Sequence, residues 1–144
     1  MSDRNPAEKN IRTEKMYDVE GSLERLRRRP TAEGVLHFFQ ELQGAEFLVP
    51  CEGKATNVAV LNLANGDNLI PVFTNVDELK PGLERWKEVT TLRLEFLALC
   101  VMSQPAQFTG MVLNPLGRRP ILIHRKEIMS AMKLLKAYNN KGLN

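Results

Sequence analysis

Between Val58 and Thr74 two apolar runs, Val58 to Leu61 and Leu69 to Phe73, flank Ala64-Asn65-Gly66-Asp67. Asn-Gly tolerates positive φ at both positions, so this stretch reads as a β-hairpin. Symmetric pairing puts Ala59, Leu61, Ile70 and Val72 on one face and Val58, Val60, Leu69 and Phe73 on the other. Both faces are apolar, as expected of arms covered on both sides. Pro71 cannot donate to a ladder. A four-residue loop from Ala64 to Asp67, or a bulge, turns its missing donor away from the partner arm and leaves the outer side of the second arm unpaired there.

The remaining periodicity is laid around this pair. Residues 1–29 are polar, with almost no apolar period before Leu23, and read as a charged, flexible extension with one helical turn around Ser22 to Arg28. Val35, Leu36, Phe38, Phe39 and Leu42 share one side of a helix from Ala32 to Gln43, capped by Thr31 and closed by Gly44. Glu46 to Pro50 reads as a strand forming a meander with the hairpin. Asn75 and Glu78 have capping-box spacing. Val76, Leu79, Leu83 and Trp86 form an apolar stripe broken by Pro81-Gly82 into two short turns, with Trp86 packed on the sheet. Alternation over 88–92 gives way to an apolar run over 94–103, a strand followed by a buried helix. Gly110 to Asn114 and Pro120 to His124 are short strands joined by the turn Asn114-Pro115-Leu116-Gly117, hence an antiparallel pair. Lys126 to Tyr138 is an amphipathic helix with Ile128, Ala131, Met132, Leu135 and Tyr138 inward and Lys133 and Lys136 outward, stopped by Asn139 to Gly142.

The fold class expected is α+β, with residues 30–144 as one domain. A mixed, mostly antiparallel sheet of about five or six strands is built on the hairpin (57–74), with three to four helices packed on it. No apolar run reaches membrane-spanning length, and the N-terminus lacks the apolar segment of a signal peptide. A cytoplasmic protein without membrane contact follows.

Net charge is +3 but unevenly spread. Residues 1–30 carry eight Lys/Arg and six Asp/Glu, residues 31–100 five and ten, and residues 101–144 seven and one. Arg25, Arg27, Arg28 and Arg29 form the densest basic cluster, suited to phosphate or an acidic partner or simply to a solvated lead-in. Few aromatics accompany the basic ends, which makes nucleic acid an unlikely partner class. Cys51 and Cys100 are isolated among apolar residues and read as small buried hydrophobes. No Cys-x-x-Cys or His-x-x-x-His pair suggests a metal, and no cofactor motif is present. A nucleophilic enzyme would need Cys51 or Cys100 brought to His37 or His124 by tertiary contact alone. His37 reads as a helix-surface residue.

The order of motifs is more informative than any one of them. Ala45-Glu46-Phe47-Leu48-Val49-Pro50 precedes the apolar hairpin. Then come Pro71-Val72-Phe73-Thr74-Asn75, Asp77-Glu78-Leu79, and Gly110-Met111-Val112-Leu113-Asn114-Pro115 before an Ile-Leu-Ile strand and the last helix. Over about residues 31–138 this resembles the N-terminal domain of the SseB family, named for enhanced serine sensitivity. The resemblance implies a small α+β domain of cytoplasmic bacterial proteins with no known catalytic residue. Its signature positions correspond here to Pro50, Pro71, Phe73, Thr74, Asn114 and Pro115. Longer members carry a second, C-terminal domain that is expected to be missing here.

The function expected is a non-catalytic interaction or regulatory module. Its partner would be another protein, with homodimerisation through an open sheet edge beside Pro71 or Gly110 as a further possibility. A small-molecule-binding protein, an enzyme with an unrecognised site and a weak nucleic-acid binder are the alternatives. Phe73-Thr74 and Asn114-Pro115 are expected to meet at one end of the sheet, making Pro71, Phe73, Thr74, Asn114 and Pro115 the candidate binding residues. The plainer reading has Thr74 capping and Asn114 bonding to its own turn.

Overall fold

A computed structural model describes residues 17–52 and 57–142, the last five by backbone alone. Expectations for residues 1–16 and for the Tyr138 side chain lie outside the described residues.

The elements run α1 (Val19–Arg28), α2 (Ala32–Glu41), β1 (Glu46–Cys51), β2 (Leu61–Asn62), β3 (Asn68–Val72), α3 (Val76–Leu79), a 3-10 turn (Lys80–Gly82), β4 (Glu88–Arg93), α4 (Leu94–Met102), β5 (Gly110–Leu113), β6 (Ile121–His124) and α5 (Arg125–Gly142). This is an α+β domain. Among the described residues six strands form two sheets rather than the one expected: β1 with β4, and β2-β3-β5-β6. An antiparallel bridge joins them, in which Leu48 and Phe73 exchange N–H···O=C bonds of 2.9 and 2.8 Å. β3 and β5 are parallel and all other ladders antiparallel. Parallel neighbours need a long crossover, and α3, β4 and α4 supply it.

The hairpin differs from its expected register. Leu61 faces Leu69 and Asn62 faces Asn68, so the loop spans Ala64 to Gly66. Asn65 Oδ1 accepts from Asp67 N–H at 2.9 Å, and Gly66 takes φ +97°, open to glycine without strain. A three-residue loop slips the first arm by one position, which reverses its faces. Val58 and Val60 therefore join Ile70 and Val72 in the main core, while Ala59 and Leu61 join Phe73 on the opposite side. The first arm is also short, because Cys51 bridges Val58 and Pro50 O accepts from Ala59 N–H. Thus β1 touches the arm only at its ends and takes β4 as its ladder partner instead of completing a meander.

Both faces of the arms are nonetheless covered. The main core gathers Phe38, Phe39, Phe47, Ile70, Val72, Leu97, Leu113 and Ile128 beneath the helices. Across the sheet a second cluster holds Ala59, Phe73, Leu79 and Trp86, with the Phe73 and Trp86 rings edge-to-face at 5.7 Å. Pro71 departs from its expected role, because the outer side of the second arm is not open there but paired with β5. Val72 O accepts from Asn114 N–H on the β5 side, whereas Phe73 bonds to Leu48 on the other. Pro71, two residues from Phe73, therefore aims its missing donor away from β5 and toward the first-arm side of β3, not away from that arm as expected.

Four further differences matter. Residues 19–28 form a ten-residue helix rather than one turn, with Leu23 and Leu26 in the main core, so 17–29 is not a free extension. Asp18 caps this helix, accepting from Gly21 N–H at 3.0 Å. Val76 and Leu83 are exposed, because the short α3 turns only Leu79 inward. α4 is buried on one side only: Leu94, Leu97, Ala98 and Val101 face the core, while Phe96 and Leu99 are 60% and 54% exposed. The last helix continues through Asn139 to Gly142, beyond its expected stop. Its first residue, Arg125, donates from its guanidinium to the carbonyls of Met102, Gln104 and Pro105, closing the C-terminal end of α4. Among the described residues no helix is long and apolar enough to cross a membrane.

Candidate functional site

Parallel pairing brings the C-terminal ends of β3 and β5 side by side, and Thr74 and Asn114 meet there as expected. Asn114 is buried at φ 52°, a left-handed conformation its short amide side chain tolerates. Its Oδ1 accepts from Thr74 N–H at 3.0 Å and from Thr74 Oγ1 at 3.3 Å. Its Nδ2 donates to Thr74 Oγ1 at 3.1 Å. The side chain thus ties two loops together instead of bonding to its own turn, which Gly117 N–H closes onto Asn114 O at 3.0 Å. Capping falls to Asn75, whose Oδ1 accepts from Glu78 N–H at 2.9 Å, and not to Thr74. Pro71 and Phe73 are buried and Pro115 is half-buried. The five residues therefore form a clasp whose polar side-chain groups largely bond to each other.

Of the five, Thr74 reaches a cavity. With Asn75, Tyr17, Asp18, Glu46 and Arg93 it lines a broad open cleft of about 890 Å³. Neither thiol is activated. Burial pushes Cys51 up from the ordinary thiol pKa, and nearby Glu88 adds to this. Burial alone raises Cys100. Cys51 Sγ donates to Val49 O at 3.7 Å. Both conditions oppose thiolate formation. Among the described residues no group of three His, Cys, Asp or Glu is placed to hold a metal.

A second concavity, of about 160 Å³, lies between α1 and α2. Its floor is the buried pair Leu26 and Phe38, and its rim carries Arg25, Arg28, Arg29 and the exposed His37. Gly34 makes the helices' approach possible, since a Cβ there would lie 1.7 Å from Arg29 O. Glu41 orders the rim: it accepts from Arg25 Nε and Nη2 at 3.0–3.2 Å and from Ser22 Oγ at 2.7 Å. Burial works to raise the Glu41 carboxyl, but the Arg25 and Ser22 hydrogen bonds outweigh it and hold the group below its ordinary pKa. The same hydrogen bond with Glu41 raises Arg25. Arg29 pairs with Glu33 at 2.6 Å.

On the other flank of α1, Arg27 Nη2 donates to Arg119 O at 3.0 Å, and Arg119 Nη1 donates to Glu24 at 3.1 Å. Arg27 also pairs with Glu24. The turn after β5 is thereby fastened to α1, and the two arginine runs of the sequence become one surface. Sequence reasoning saw the first run but not its concavity, because α1 was not expected to pack. The available signal was Asp18 as a cap ahead of Val19, Leu23 and Leu26 at helical spacing.

No curated protein and no solved structure matches the chain. A family model described as the SseB protein N-terminal domain matches residues 19–130, from the first residue of α1 into α5. That span contains the clasp, the concavity between α1 and α2 and every described strand, and the chain belongs to the SseB family through this N-terminal domain.

Proposed function

We propose that the chain is a non-catalytic interaction or regulatory module whose partner is another protein, in keeping with a cytoplasmic location. The observation that carries this reading is the concavity between α1 and α2. It combines an apolar floor with a rim of arginines held in place by Glu41 and Glu33, on two helices anchored in the core. Arginine forks on a preorganised frame suit recognition of carboxylates. Two further facts support a binding role over a catalytic one: the thiols are raised, and the Thr74–Asn114 polar groups serve the fold.

The test is affinity capture from lysate of the source cells with the intact chain and with Arg28→Glu. A protein retained by the first and lost from the second supports the reading. Equal retention by both, or none by either, contradicts it. Deleting residues 1–29 is the wrong control, since it removes Leu23 and Leu26 from the core.

A further inference from the structure

The surface around α1 specifies the chemistry of its partner more narrowly. Six arginines from two distant segments, Arg25, Arg27, Arg28, Arg29, Arg118 and Arg119, are drawn together where the turn after β5 is bonded to α1. Their acidic neighbours are Glu24, Glu33, Glu41 and Asp18. Glu24 is shared between Arg27 and Arg119, Glu33 is taken by Arg29, and Glu41 by Arg25, which also lies 3.9 Å from Asp18. Among the described residues no ion pair engages Arg28 or Arg118, and both are exposed. Arg28 therefore borders an opening whose floor is apolar, and Arg118 lies beyond its lining, next to Arg119 where the turn is bonded to α1.

We infer that this surface binds an acidic peptide segment of a partner protein, with one aliphatic side chain seated in the concavity on Leu26 and Phe38 and carboxylates paired with Arg28 and Arg118. The inference rests on the interaction-module reading and names the partner's chemistry. The cavity, at about 160 Å³, is of the size of one side chain rather than a folded element. Its apolar floor offers nothing to a bare anion, so the arginines alone do not describe the site. Nucleic acid fits less well. Single strands are held by stacking on exposed aromatic faces, and Phe38 is 1% exposed.

The probe is a fluorescein-labelled nine-residue peptide of aspartates and glutamates around one central leucine, followed by anisotropy with the intact chain. A second peptide replaces the leucine by alanine, and a random twelve-nucleotide RNA serves as the competing class. Binding of the leucine peptide is expected to weaken about tenfold with Arg28→Glu, and severalfold with Arg118→Glu or with the alanine peptide. Lys133→Glu, the same charge change on the exposed face of α5, is expected to change it by less than about twofold. Unchanged melting temperatures show that the variants are folded. Absence of leucine-peptide binding, or equal weakening by Lys133→Glu, overturns the inference. So does tighter RNA binding with a steep salt dependence. If capture from lysate is sensitive to Arg28→Glu while the peptide does not bind, the interaction reading stands and only the acidic-peptide assignment falls.

Discussion

Replacing Asn114 tests whether the ends of β3 and β5 are a clasp. In Asn114→Gly the acceptor for Thr74 N–H is lost, with both contacts to the Thr74 hydroxyl. A hydrogen bond contributes about 1 kcal/mol net, and a half-buried N–H left without an acceptor costs about 1–3 kcal/mol, so roughly 2–3 kcal/mol is expected. Asn114→Ala loses the same bonds and must also hold φ 52°. The left-handed conformation costs an ordinary L-residue about 1–2 kcal/mol, of which glycine's greater unfolded-state entropy offsets roughly half. Alanine should therefore be worse than glycine by about 1 kcal/mol, the reverse of their order in a helix. Thr74→Val keeps the N–H bond and should cost only about 1 kcal/mol. Combined with Asn114→Gly it should add less than its separate cost, because the hydroxyl has already lost its partner. Urea unfolding monitored by Trp86 fluorescence gives all four values. If glycine proves as destabilising as alanine, or the double variant is strictly additive, Asn114 does not hold Thr74 as described.

The two sides of α4 should respond differently: Leu97→Ala should cost about 2–5 kcal/mol as a buried deletion, and Phe96→Ala less than about 1 kcal/mol. Equal losses in chemical denaturation would show that the outward face is covered. Glu41 has a folded pKa below its unfolded one, so its contribution is complete above the ordinary carboxylate range and is lost as pH falls through the folded value. Glu41→Gln should flatten the acid limb of the stability profile, modestly because the pair is partly exposed, and an unchanged limb would refute the Arg25–Glu41 assignment. Both cysteines should react with a disulfide reagent near pH 8 more slowly than glutathione does and recover ordinary rates in denaturant. A fast-reacting thiol in the folded chain would reopen the enzymatic alternative.

Local patterns were legible wherever one residue type decides a local conformation. The change from alternation to a continuous apolar run at Arg93–Leu94 marked the strand–helix junction, and Asn75 marked the start of α3. The hairpin was visible from Asn65-Gly66, but its register was not. Loops of three and four residues suit the same sequence, and the difference lies in how Asn65 and Asp67 bond to each other. The β1–β4 ladder joins residues about forty apart with no local sign of the pairing. The meeting of Thr74 with Asn114 followed from similar strand ends. Its meaning depended on side-chain geometry, which places the amide on the neighbouring loop. The arginine surface was half visible, since nothing near Arg118 and Arg119 records their attachment to Arg27 and Glu24.

Amide chemical-shift mapping of the intact chain, titrated with the leucine-containing acidic peptide, locates the partner most directly. The expected result is a set of saturable shifts at Arg28, Arg29, Gly34, His37 and Arg118, with Thr74 and Asn114 unmoved. Shifts gathered instead at Thr74, Asn75 and Arg93 would move the binding surface to the strand-end cleft and contradict the assignment to α1 and α2.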